Sequence, residues 1–195
     1  MMLIGCLSLT GFPFLTGFYS KDFILEISFS NYSISGNFAY WLGSFCVLLT
    51  SYYSFRLLFL TFLNPTSSYK SSIKTTHDAN LIMAIPLILL AFGSIFVGFF
   101  TKDMMIEIGS PFWSNALFMF PKNSLLLESE YIPQTQKFLP LIFTFLGALF
   151  AFLINYAKPY EFYKLKTSSL GRNIYYMFNK RWFFDKVYND KYSLL

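Results

Sequence analysis

From Leu81 to Thr101 the sequence LIMAIPLILLAFGSIFVGFFT contains no charged side chain. At about 1.5 Å of helical rise per residue it is long enough to cross a hydrocarbon core of about 30 Å. Inside lipid a backbone must satisfy its own N–H and C=O groups, which a helix does within one segment. This stretch predicts an all-α membrane protein. Three further apolar stretches extend the reading to a polytopic bundle of about four transmembrane helices. Composition agrees: 55% of residues are hydrophobic and only 13% charged, against about 25% charged in ordinary soluble domains.

The first of those stretches, residues 1 to about 29, is interrupted. Gly11, Pro13 and Gly17 fall close together. Pro13 has no N–H and disfavours the helical conformation at Phe12, so two half-helices are predicted, at roughly 1–10 and 18–29. A turn through Asn31, Ser33, Ser35 and Gly36 leads to a second span, about Phe38 to Leu63. Tyr40 and Trp41 are its interfacial anchors, and Ser44, Thr50, Ser51, Ser54 and Thr61 run along it as a polar thread. Asn64-Pro65 stops this helix, and the Ser/Thr/Lys loop that follows holds the only histidine, His77. In the third span, 81–101, Gly93 and Gly98 are available for close helix contact. Residues 102–137 carry Pro111, Pro121 and Pro133 between short apolar pieces, and read as short interfacial helices. The fourth span is about Phe138 to Ala157, with Pro140 in its first turn, and 158–195 is a basic, aromatic tail. Met1 to Cys6 show no basic region of the kind that opens a signal peptide.

The net charge of +5 is read as topology, not nucleic-acid binding, because no basic stripe lies outside the tail. Across four spans, loop 64–80 and the tail share one side. They hold ten Lys and Arg, against Lys102, Lys122 and Lys137 on the other. The positive-inside rule then places the tail on the cytoplasmic or matrix face; with the long tail discounted, two stand against three and the count is undecided.

Lys21 lies about 12 Å inside the first span, just beyond the interruption. Two readings stand: a lysine that snorkels to the interface, or a proton site. Opened backbone favours the second, since an amine held away from water exchanges protons as an always-charged arginine cannot. Asp22 is turned about 100° from Lys21 and shares a helix face with Glu26 instead. Asp22 suits tuning of Lys21 or passing protons outward; Glu26 is read mainly as a solvated charge at the helix end. Arg56 lies eight residues inside the opposite end of the second span, at a different depth from Lys21, and snorkels, acts on a lysine through intervening water, or positions a carboxylate from another chain. His77 reads as a surface residue. Cys6 and Cys46 have neither CxxC nor Cys/His spacing and read as inert thiols. No phosphate loop, HExxH, metal set or redox-centre motif occurs.

The segment SLTGFPFLTGFYSKD, residues 8–22, resembles the signature of subunit 5 of respiratory NADH:ubiquinone oxidoreductase, complex I. The likeness continues through residues 35–39, 50–62, 83–90 and 179–185, in order, and is greatest to mitochondrial forms. What the resemblance implies is a distal antiporter-like subunit of the membrane arm in the mitochondrial inner membrane, with the tail on the matrix side. It implies that Lys21 belongs to a chain of charged residues that carries protons, with Asp22 also implicated. It further implies that the earlier spans, a lateral helix and a final anchor lie outside these residues, so this chain looks like one piece of a subunit. Partners would be the other membrane-arm subunits, including the neighbouring antiporter-like subunit and a chain supplying the remaining part, together with membrane lipids and no nucleic acid. NADH, FMN, iron–sulfur clusters and ubiquinone would be bound by other subunits, with no cofactor or metal on this chain. Two alternatives remain: a subunit of a multi-subunit cation/proton antiporter, and a purely structural part of the arm.

Overall fold

A computed structural model describes residues 1–106, 111–114, 116, 120, 129 and 131–192. Two units are distinct, Met1–Phe152 and Leu153–Leu195. The described residues of the first form α1 (Met2–Thr10), α2 (Thr16–Ser30), α3 (Ile34–Leu58), α4 (Lys70–Thr75), α5 (Leu81–Met105) and α6 (Gln134–Phe152). Among the described residues there is no strand, and Ile34–Leu63, Leu81–Met105 and Gln134–Ala157 are long and apolar enough to cross a membrane. The chain is a multi-pass, all-α membrane protein.

The α1–α2 interruption is built from the residues that predicted it. Gly11 takes the left-handed conformation, φ 80°, which costs glycine little. Its N–H donates to the Ser8 carbonyl at 3.2 Å and that of Phe12 to Leu7 at 3.1 Å, the paired bonds that terminate a helix on a left-handed glycine. Phe14, also left-handed and exposed, completes the reversal. With 9 and 15 residues, α1 and α2 are each too short to cross about 30 Å alone.

α3 is the central element, packed on α1, α2 and α6. Its buried positions are Gly36, Tyr40, Ser44, Val47, Ser51, Ser54 and Leu58, and from Tyr40 onward their spacing alternates four and three, which keeps one narrow seam facing a partner helix. Gly147 of α6 meets that seam, against the Ser51 side chain and the Leu48 carbonyl, where a β-carbon would collide. Ser44, Ser51 and Ser54 return their hydroxyls to carbonyls of α3 itself, at 2.8, 2.8 and 2.9 Å. The buried polar thread is thus satisfied within its own helix, as a membrane interior requires.

Several boundaries differ from the sequence reading. α5 continues to Met105 and α6 starts at Gln134, because the flanking polar residues extend a helix at the membrane face without entering lipid. Pro140 consequently sits in the second turn of α6, where its missing N–H leaves the Gln136 carbonyl without an intrahelical donor. The Tyr40 hydroxyl bonds there, to the Gln136 carbonyl at 3.0 Å and to its Oε1 at 2.9 Å. Loop 64–80 contains the short α4. The interfacial reading of 102–137 falls largely on residues outside those described.

In the second unit a π turn, Leu153–Ala157, precedes α7 (Pro159–Thr167), α8 (Ser169–Asn179) and α9 (Phe184–Tyr192). Ser168 caps α8 by accepting the Gly171 N–H at 3.2 Å, and Lys166 Nζ lies 3.9 Å from the centre of the Tyr175 ring.

Candidate functional site

The break creates an unusual carbonyl. The terminal bonds at Gly11 and Phe12 engage Ser8 and Leu7, which leaves the carbonyl of Thr10, the last residue of α1, for another donor. Lys21 supplies it. Its Nζ donates to the Thr10 carbonyl at 3.4 Å and to Thr50 Oγ1 on α3 at 2.9 Å. Thr50 Oγ1 in turn donates to the Val47 carbonyl at 2.9 Å, so its lone pairs are aimed at the amine. The C-terminal end of α1 adds the negative pole of its helix dipole, which favours a cation. The Lys21 side chain therefore turns back into the bundle along the break.

Gly17 lies just inside α2, not in the gap. Its bare α-carbon lets the Ser8 carbonyl of α1 approach so closely that a β-carbon would overlap it. Gly11 is buried, and Lys21 Cδ lies 3.5 Å from where its β-carbon would be. Thr16 fixes the start of α2 to α5: its hydroxyl donates to the Gly93 carbonyl at 3.2 Å and accepts the Gly98 N–H at 3.1 Å. Of the third span's two glycines, Gly98 makes the close contact, against Thr16, while Gly93 contributes its carbonyl, and together they position the half-helix that carries Lys21.

One residue on, the chemistry changes sign. Asp22 and Glu26 face a cavity of about 450 Å³ between α2, the end of α5 and the start of α6, also lined by Tyr19, Lys102 and Lys137. Glu26 Oε1 pairs with Lys137 Nζ at 3.5 Å; the glutamate side chain is 12% exposed and the lysine 49%. A second space of about 10 Å³ lies between Asp22, Glu26, Tyr40, Gln136 and Lys137, about one water in size. Lys102 also pairs with Asp103 at 3.8 Å at the exposed rim.

Gly11 and Pro13 lie in the break and Lys21 reaches back to it, whereas Asp22 and, one turn further along α2, Glu26 line the cavity towards α5 and α6. Glu26 is ion-paired and mostly buried, unlike the solvated charge expected at a helix end. Arg56 is exposed and lies two residues from both Ser54 and Leu58 of the buried seam, hence on the opposite face of α3. His77 is exposed. Among the described residues no group of three or more His, Cys, Asp or Glu gathers as metal ligands.

Thr50, Lys102 and Lys137 were not singled out from sequence as site residues. A signal for Lys137 was present: four alternating spans put the end of the first and the start of the fourth at the same membrane face, where Glu26 and Lys137 both lie. Thr50 stood among other hydroxyls of the second span, and only the crossing of α2 over α3 distinguishes it.

Comparison with known proteins gives this geometry a family. The family described as "NADH dehydrogenase subunit 5 C-terminus" matches residues 53–195. The chain is 61% identical over 191 residues to NADH-ubiquinone oxidoreductase chain 5 of Marchantia polymorpha, and 58% identical over 191 residues to that of Arabidopsis thaliana. A more distant relative of the same name, from Acanthamoeba castellanii, is 40% identical over 190 residues. Each match covers 97% of this chain, including the break that the family match leaves out, but only 28–29% of the relative's length. This chain belongs to the NADH dehydrogenase subunit 5 family, within its C-terminal part.

Proposed function

We propose that the chain supplies one proton-transfer station to the membrane arm of a proton-pumping NADH:ubiquinone oxidoreductase, in the distal antiporter-like subunit of the mitochondrial inner membrane. The observation that carries the reading is the position of Lys21 Nζ, between the carbonyl freed at the end of α1 and Thr50 of α3. Lys21 accepts a proton arriving along the membrane arm and holds it as an ammonium against the Thr10 carbonyl and Thr50. When the charge state of the preceding station changes, the proton leaves towards Asp22 and the cavity shared with Glu26, Lys102 and Lys137. Asp22 acts as the exit neighbour and tuner of Lys21. Protons move in this reading from matrix to intermembrane space, with the basic tail on the matrix side.

Neighbouring membrane-arm subunits, a polypeptide carrying the rest of the subunit and membrane lipids are the partners that the reading requires. NADH, FMN, iron–sulfur clusters and ubiquinone belong in it to other subunits. Cys6 and Cys46 are single thiols on separate helices, which do not make a donor set for such groups, and no electron-transfer step is assigned to this chain.

The test uses assembled complex in sealed vesicles. Lys21→Ala is expected to lower the protons moved per NADH while electron transfer and assembly continue. Lys21→Arg, which keeps the charge but cannot release a proton, is expected to do the same. A full proton yield in either variant would sink the proposal.

A further inference from the structure

Arg56 is an exposed, charged residue on the outer face of α3. Its guanidinium cannot shed its charge, and it lies eight residues before Asn64, about 12 Å along the helix from the end of the span. Among the described residues no carboxylate is within ion-pair distance of it. Around it, Phe45, Leu49 and Tyr53 on the same side of α3 are about half exposed, at 54%, 46% and 48%. Ionisable residues within membrane spans face a bundle interior or a wet cavity, and pair with one another, because lipid does not solvate them. The chain spans only 29% of its relatives' length, so most of the protein that could supply that interior lies outside it.

We infer that the Arg56 face of α3 is a docking surface for a transmembrane helix outside this chain, and that this helix carries an aspartate or glutamate at the depth of Arg56. The apolar residues before Arg56 supply close packing. The arginine supplies register, since a planar guanidinium binds a carboxylate through two parallel hydrogen bonds. This interface does not depend on the proton role of Lys21.

Assembled complex is again the material. With the photo-cross-linking residue benzoylphenylalanine in place of Leu49, the expected adduct is with a polypeptide helix bearing a carboxylate. Arg56→Leu is expected to leave that carboxylate buried and unpaired and to lower the yield of assembled complex by about tenfold or more, whereas Arg56→Lys retains most of it. Arg56→Glu should assemble only when the cross-linked carboxylate is replaced by lysine. Adducts with lipid alone, the sign of a snorkelling arginine, overturn the inference. So does an Arg56→Leu complex that assembles as well as the wild type. Because cross-linking and assembly are read without pumping, the Leu49 adduct should form equally in a Lys21→Ala complex, whatever its proton yield.

Discussion

At the scale of single residues, the decisive contact is between an amine and a hydroxyl. Lys21 has two acceptors, and Thr50 is the nearer, at 2.9 Å. A hydrogen bond to a charged group contributes about 1.5–3 kcal/mol net, enough, in the proposed relay, to bias where a proton rests. Thr50→Val keeps the shape of the side chain and removes that acceptor. It is expected to slow NADH-driven proton pumping by about tenfold, with little effect on the amount of assembled complex, while Thr50→Ser stays close to the wild type. Acidification of the vesicle lumen, measured beside NADH oxidation, checks both. Loss of assembly with Thr50→Val would show instead that the hydroxyl holds the fold.

At the scale of elements, the two half-helices differ in what their glycines do. Gly5 has open space where a β-carbon would go, Gly11 needs its left-handed backbone, and Gly17 admits a carbonyl of α1. Substitution by alanine should therefore rank. Gly5→Ala is expected to be neutral or slightly stabilising. Gly11→Ala should cost about 1–2 kcal/mol for its backbone, and Gly17→Ala about 1–3 kcal/mol or more for overpacking. Unfolding of the complex in detergent against temperature gives the order. Two features were legible in the sequence: Gly11 and Pro13 stand where a helix must end, and the length of the apolar runs marked the long spans. Gly17 was legible as a break residue but not as a contact, since nothing local to it reveals which carbonyl approaches. Pro140 is similar: its missing N–H is visible in sequence, but only the packing of α3 on α6 supplies the Tyr40 hydroxyl that uses the freed carbonyl. Glu26 and Lys137 are separated by more than a hundred residues, and their pairing depends on how α2 and α6 pack.

At the scale of the whole molecule, charge asymmetry gives a topology to test. The proposed reading puts the tail in the matrix, on the count of ten Lys and Arg in loop 64–80 and the tail against three on the other side, a count that the long tail dominates. A cysteine at Ser169, in a complex whose native thiols have been blocked, is expected to react with a membrane-impermeant maleimide only after the inner membrane is opened. Labelling from the intermembrane space would invert the orientation, and with it the direction assigned to the exit cavity. The serine seam of α3 has a mechanical consequence. Its hydroxyls are bonded to their own helix, whereas Tyr40 near one end is bonded across to α6. Parting α3 from α6 would therefore break the Tyr40 bond and leave each of these serine hydroxyls satisfied, so the two helices are latched at one end and held by packing alone along the serines.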